Sequence, residues 1–155
     1  MVSTVADNPL GAAVLGELRR HAVDTRHVRR VDGRVGLYFL TTGAIHRASE
    51  VVYDRADSAF ALAPADAYDW PRLLDGAQWL HLSGVSPALG ADVAQATLAA
   101  ARAARAAGVK VSFDGNYRPK LWQRWQGDAR GILHDLFACA DVVFADYRDI
   151  GVVLG

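Results

Sequence analysis

The sequence predicts an α/β fold in which a mostly parallel sheet is flanked by helices and accompanied by a small antiparallel unit. Three short apolar runs, at 78–82, 109–113 and 141–145, have the length and composition of buried strands. Helical patterns at 91–107 and 128–138 separate these runs, which is the spacing of right-handed βαβ units. We therefore expect the three strands to lie parallel to one another.

The composition is that of a globular protein without an evident polyanionic partner. Of the 155 residues, 52% are hydrophobic and 22% charged, and 17 basic residues balance 17 acidic ones. Cys139 is the single cysteine, so no internal disulfide can form, and its apolar neighbours predict a buried thiol. No apolar run approaches the roughly 20 residues of a membrane span, and the first residues lack a signal-peptide pattern. A cytoplasmic protein is expected, with no membrane or nucleic-acid partner.

The antiparallel unit is predicted in the first third of the chain. A strand at 1–5 and a helix precede it. The runs 28–31 and 34–40 flank an Asp-Gly pair, which is typical of a tight hairpin. A further run at 51–54 continues the same unit. We expect these segments to form a three-stranded antiparallel element at the edge of the sheet or over a ligand, as a lid.

Alternation along these strands assigns the side chains to faces. Tyr38 and Leu40 point the same way in the second run, and Val51, Tyr53 and Arg55 share one side of the third. Two readings of Tyr53 and Arg55 remain open at this point: a cross-strand pair on a solvated face, or a pair that contacts a ligand.

The most informative stretch follows the run at 109–113. Asp114, Asn116 and Arg118 come directly after it, within a turn rich in Gly, Asn and Pro. In open parallel sheets ligands bind beyond the carboxyl ends of the strands. A carboxylate, an amide and a guanidinium are thus expected to meet at such an end, although an ordinary turn with a solvated arginine is the alternative.

The order of several motifs resembles the PfkB, or ribokinase-like, family of carbohydrate kinases, and most closely its 2-keto-3-deoxygluconate kinases. The motifs lie at 23–25, 33–39, 51–55, 80–84, 112–118 and 121–122. The resemblance implies a ribokinase-like sheet with a small β lid, the lid strands at about 28–60 and the α/β core at 1–27 and 70–155. It also implies transfer of the γ-phosphoryl of ATP, with Mg²⁺, to a sugar acid, giving 2-keto-3-deoxygluconate 6-phosphate. A homo-oligomer formed through the lid is a further expectation.

The resemblance also carries residue roles. The implied substrate-binding residues are Tyr38, Tyr53, Arg55 and Arg118. The implied nucleotide-binding residues are Asn116, Tyr117 and Arg118. Asp146 and Asp149 match a family motif near the metal, and their carboxylates could order Mg²⁺ through water. Guanidinium groups bind carboxylates bidentately, so the two arginines favour a sugar acid over a neutral sugar.

One departure from the family bears on activity. Its Asp-Thr-x-Gly-Ala-Gly-Asp segment, which supplies the catalytic base and an anion hole, does not occur in the sequence. No catalytic residue is therefore assigned, and the chain is expected to be an internal part of a kinase, incomplete at both ends and inactive alone. The alternatives are a kinase for a neutral sugar such as fructose or ribose, and a non-catalytic sugar-binding remnant.

Overall fold

The structure, a computed structural model, describes residues 1–155 and divides into two compact units, Met1–Ala63 and Pro64–Gly155. Each unit contains parallel strands; the first adds one helix and an antiparallel pair, and the second adds several helices. The predicted α/β class is confirmed. No helix has the length and apolar character that crossing a membrane requires.

The first unit begins with a parallel β–α–β element. Its parts are β1 (Val2–Ala6), α1 (Pro9–Arg20) and β2 (His27–Val31), with β1 and β2 in parallel register. Asn8 caps α1 by accepting a hydrogen bond from the Gly11 nitrogen at 3.0 Å. A Cβ on Gly11 would lie 1.8 Å from the Ala6 carbonyl oxygen, so glycine permits the helix to start against the strand.

The remainder of this unit holds the antiparallel pair β3 (Leu37–Thr41) and β4 (Glu50–Asp54), called the lid below. The predicted hairpin between 28–31 and 34–40 is wrong. Residues 28–31 belong to β2, whose partner is β1, and β3 begins only at Leu37. The segment after Val31 is too long for a two-residue turn, and the parallel partner satisfies the backbone groups that the hairpin would have used.

The second unit contains one three-stranded parallel sheet in the order β5–β6–β7. Its strands are β5 (Trp79–Ser83), β6 (Lys110–Asp114) and β7 (Val142–Phe144). Its helices are α2 (Trp70–Leu73), α3 (Ala91–Ala106), α4 (Pro119–Trp125), α5 (Ala129–Cys139) and α6 (Tyr147–Leu154), with a short 3-10 helix at Pro87–Leu89. The three strands and their parallel order are as predicted, whereas α4 was not predicted.

The core of the second unit lies between β6 and the helices α3 and α5. Phe113 of β6 is fully buried and meets Phe137 edge-on, with ring centroids 5.6 Å apart. Leu133 and Leu136 of α5 are fully buried in the same cluster. This packing fixes β6, and therefore the position at which the chain leaves its carboxyl end.

Candidate functional site

A hydrogen-bond chain joins the carboxyl ends of β5 and β6. Ser83 and Asp114 are the last residues of these strands and lie side by side in parallel register. The Ser83 hydroxyl donates to Asp114 Oδ2 at 3.1 Å and accepts from Asn116 Nδ2 at 3.1 Å. The strand ends therefore present a connected carboxylate, hydroxyl and amide.

Backbone bonds continue the sheet beyond its side-chain network. The Gly84 nitrogen donates to the Asp114 carbonyl at 2.7 Å, and the Gly115 nitrogen donates to the Phe144 carbonyl at 2.8 Å. A Cβ on Gly84 would lie 1.9 Å from the Gly115 carbonyl oxygen. The two loops can approach this closely only because position 84 is glycine.

The chain then turns sharply towards α4. Asn116 has φ of 39°, in the left-handed region that asparagine tolerates better than most residues. Arg118 follows two residues later at the start of α4, and its side chain is exposed. It takes part in none of the ion pairs of the molecule. An unpaired guanidinium is thus available at the strand ends for an anion.

Asp146 and Asp149 form the opposite wall, at the start of α6. Asp146 caps this helix, its Oδ1 accepting from the nitrogens of Arg148 at 2.8 Å and Asp149 at 3.0 Å. The Asp149 N–H holds the pKa of the Asp146 carboxyl below its ordinary value, and the Arg148 N–H and guanidinium add to this effect. Asp146 is therefore ionised over the neutral range.

The two walls enclose an open cavity of about 830 Å³. It contains the sequence-predicted residues Asn116, Tyr117, Arg118, Asp146 and Asp149, together with Asp114 and Arg148. The structure therefore brings the predicted nucleotide-side and metal-side residues into one site, while the roles assigned to them stay predictions.

The fit of a magnesium ion to this wall depends on free carboxylate oxygens. Asp146 Oδ2 accepts from Arg148 Nε at 3.2 Å, and both Asp149 oxygens accept backbone N–H groups at 2.9 and 3.0 Å. The structure contains no cluster of three or more His, Cys, Asp or Glu side chains that could hold a metal ion. Direct coordination of Mg²⁺ by Asp149 would compete with these two N–H contacts, and Mg²⁺ requires near-octahedral oxygen ligands. Ordering of Mg²⁺ through water stays a prediction.

The lid, in the first unit, carries the other predicted substrate residues. Tyr38 pairs with Tyr53 across the two strands, with ring centroids 6.4 Å apart, so both rings lie on one face. The Arg55 guanidinium carbon lies 4.2 Å from the centre of the Tyr53 ring, which is a cation–π contact. The predicted face assignment of Tyr53 and Arg55 is confirmed, and Tyr38 joins them.

Sequence reasoning missed two polar residues of the cavity region, Ser83 and Arg148. Ser83 lies in the motif at 80–84 that contributes to the resemblance, but no role was predicted for it. The signal that could have identified it was the parallel register, because a polar residue at the end of β5 must lie beside Asp114 at the end of β6. Arg148 had no signal beyond its proximity in sequence to Asp146.

Comparison with known proteins decides the family. The family model described as "pfkB family carbohydrate kinase" matches residues 1–155, the whole chain. The chain belongs to this family. The pfkB-family assignment confirms the resemblance found in the sequence motifs.

Individual pfkB relatives agree with this assignment. A 2-dehydro-3-deoxygalactonokinase of Haloferax volcanii is 38% identical over 99% of this chain and 47% of its own length. A 2-dehydro-3-deoxygluconokinase of Dickeya dadantii is 32% identical over 99% of this chain and 50% of its own. The crystal structure of a 2-dehydro-3-deoxygluconokinase from Thermotoga maritima matches with a TM-score of 0.90 and 42% identity, over 99% of this chain and 47% of that one. The chain thus spans about half the length of these relatives.

Proposed function

We propose that this chain provides the sugar-acid side of an ATP-dependent kinase that phosphorylates a 2-keto-3-deoxy sugar acid. The observation that carries the proposal is the exposed, unpaired Arg118 guanidinium in the cavity at the strand ends. Such a group binds a carboxylate with two parallel hydrogen bonds, and no carboxylate of the chain forms an ion pair with it.

The Haloferax and Dickeya relatives support an acid rather than a neutral sugar. The names of the Haloferax and Dickeya enzymes refer to two sugar acids of the same 2-keto-3-deoxy class, which differ in the configuration of one hydroxyl. Both substrates offer the carboxylate that Arg118 would bind. We propose 2-keto-3-deoxygluconate as the substrate, with phosphorylation at its 6-hydroxyl, and its galactonate epimer is the first comparison.

The remaining roles follow the same division. Tyr38, Tyr53 and Arg55 present hydroxyls, ring faces and a cation from one face of the lid, which suits a sugar acid. Asn116 and Tyr117 are proposed to contact ATP beside Arg118. Mg²⁺ would enter with ATP and be ordered through water by Asp146 and Asp149.

We propose that phosphoryl transfer needs a general base that these 155 residues do not supply. The family segment Asp-Thr-x-Gly-Ala-Gly-Asp is absent from the 155 residues. Without a group within hydrogen-bond reach of the sugar hydroxyl, general-base catalysis does not occur. We therefore expect sugar-acid binding without phosphoryl transfer by this chain alone.

The lid face opposite Tyr38 and Tyr53 is apolar and exposed, which favours contact with a second copy of the chain. Phe39 and Val52 lie directly opposite each other on that face and are 58% and 55% exposed. Large apolar side chains exposed side by side on a two-stranded sheet favour association with another chain. We propose a homo-oligomer formed through this face, which leaves the Tyr38 and Tyr53 face for substrate.

Calorimetric titration with 2-keto-3-deoxygluconate tests the proposal, with fructose as the neutral comparison. We expect binding of the acid only, and a loss of about tenfold or more in affinity for Arg118→Ala, since a hydrogen bond to a charged group is removed. Arg124→Ala is the matched control, because this exposed arginine lies on the same helix but does not line the cavity. Equal binding of fructose, or equal effects of the two variants, would contradict the proposal.

A further inference from the structure

Asp149 is the one charged residue in the buried set, with 7% of its surface exposed. No arginine, lysine or histidine forms an ion pair with it. A buried carboxylate is costly unless donors replace the lost water. The donors that contact the Asp149 carboxylate should therefore indicate its role.

The donors are two backbone N–H groups from different segments. Asp149 Oδ1 accepts from the Tyr117 nitrogen at 2.9 Å, and Oδ2 accepts from the Asp146 nitrogen at 3.0 Å. The second contact is local, within the start of α6. The first crosses 32 residues and ties that helix to the loop after β6. One side chain thus joins the two walls of the cavity.

The absence of a side chain at position 115 makes this contact possible. A Cβ built on Gly115 would lie 2.6 Å from Asp149 Oδ2 and 2.7 Å from its Cγ. Contacts this short do not occur for real Cβ atoms, so a residue larger than glycine would displace the carboxylate. Gly115 and Asp149 therefore act as a pair.

The loop is held at three successive residues. The Gly115 nitrogen bonds to the end of β7, the Asn116 side chain bonds to Ser83, and the Tyr117 nitrogen bonds to Asp149. Arg118 is the next residue, and its own side chain has no partner. Because no side-chain contact holds the guanidinium, the place from which it extends depends on the backbone of Arg118, which the Asp149 contact helps to hold.

We infer that Asp149 is a positioning residue: its carboxylate holds the Tyr117 N–H so that the unpaired Arg118 guanidinium points into the cavity. The link to Arg118 and its anion rests on the proposed function, whereas the link between Asp149 and Tyr117 is independent of it. In this role the Asp149 oxygens serve the loop and are not ligands of Mg²⁺.

Amide hydrogen exchange measured by NMR tests the link directly. In Asp149→Asn, an NH2 group that cannot accept replaces one of the two acceptor oxygens and the negative charge is lost, so the hold on the Tyr117 N–H weakens and we expect exchange at Tyr117 to become about tenfold faster or more. Gly115→Ala should have the same effect by displacing the carboxylate. Exchange at Val111, whose N–H is held by Asp141, should not change in either variant. Global destabilisation would accelerate both amides, so the selective effect is the signature of positioning.

Two control variants match the chemical changes. Asp135→Asn converts an exposed carboxylate of α5 to an amide, and Gly151→Ala adds a methyl on α6 where no atom lies within 4 Å. Both should leave Tyr117 protected. If Asp149→Asn fails to fold, Gly115→Ala decides alone. Unchanged protection of Tyr117 in the folded variants, or loss of that protection in the wild type on adding millimolar Mg²⁺, would overturn the inference.

The affinity for 2-keto-3-deoxygluconate provides the second readout. If the inference holds, Asp149→Asn weakens this affinity severalfold but adds little to the effect of Arg118→Ala, because both act through one guanidinium. Additive effects would overturn the positioning role. A wild-type chain that does not bind the acid would refute the proposed function, and the exchange at Tyr117 would still decide whether Asp149 holds the loop.

Discussion

The carboxylate of Asp141 lies 2.9 Å from the backbone nitrogen of Val111, so the residue before β7 is fastened to the middle strand of its sheet. Lys110 adds an ion pair at 2.9 Å to the other oxygen. The Val111 N–H lowers the pKa of the Asp141 carboxyl, and Lys110 lowers it further. The contact fixes where β7 begins, and it makes the stability of the sheet depend on pH.

The sign of this dependence follows from linkage. A carboxyl whose pKa is lower in the folded state contributes stability above its unfolded value of about 3.9, and this contribution is lost as pH falls through the folded pKa. Asp141→Asn should therefore unfold at lower denaturant than the wild type at neutral pH, with the difference shrinking in acid. All four tryptophans lie in the second unit, so their fluorescence reports its unfolding.

The matched control for this measurement is Asp75→Asn, an exposed carboxylate near the end of α2. We expect a smaller change in the unfolding midpoint for Asp75→Asn than for Asp141→Asn, and a weaker dependence of that change on pH. A difference between Asp141→Asn and the wild type that stays constant from neutral to acid pH would show that the Val111 contact is not the cause.

Phe113→Ala should be strongly destabilising, because it leaves a cavity at the centre of the second unit's core. The expected cost in the free energy of unfolding is about 3–5 kcal/mol. Phe144→Ala removes the same ring from the neighbouring strand, where it is 58% exposed, and should cost about 0.5 kcal/mol or less. Denaturant unfolding of both variants, monitored by tryptophan fluorescence, checks that Phe113→Ala costs more than Phe144→Ala. Similar costs would mean that the core is not placed as described.

Gly84→Ala should also destabilise the second unit, by about 1–3 kcal/mol, since its methyl group collides with the Gly115 carbonyl. Gly151→Ala places the same methyl in open space within α6 and should stabilise by about 0.5–1 kcal/mol. Opposite signs in the two unfolding midpoints are the expected result. A neutral Gly84→Ala would show that the loops do not approach this closely.

The sequence was sufficient for those features that local pattern controls. The strands β5, β6 and β7 were predicted because each is a short apolar run with a helical pattern between it and the next. Tyr53 and Arg55 were placed on one lid face because side chains two residues apart in a strand point the same way. Asn116 and Arg118 were found because a polar turn directly follows the buried run of β6.

Features that depend on distant partners were not predictable in this way. The Asp-Gly pair at 32–33 has a hairpin signature, but β2 pairs with β1, and no local pattern records that competition. The helix α4 was missed because Pro119 and its polar neighbours looked like a turn, whereas the burial of Trp122 stabilises a helix there. The contact between Asp149 and Tyr117 needs the folded chain, since 32 residues separate them.

The lid face that carries Phe39 and Val52 leads to a prediction about assembly. If Phe39 and Val52 meet a second copy of the chain, Phe39→Glu places a charge in that interface and should shift the protein to monomers in sedimentation velocity runs. Leu10→Glu is the matched control, because Leu10 is an equally exposed apolar residue on α1, outside the lid. It should leave the oligomer intact. A monomeric wild type, or dissociation by both variants alike, would rule out the lid face as the contact. If only Phe39→Glu dissociates the oligomer, sugar-acid affinity should persist, because Tyr38 and Tyr53 lie on the opposite face.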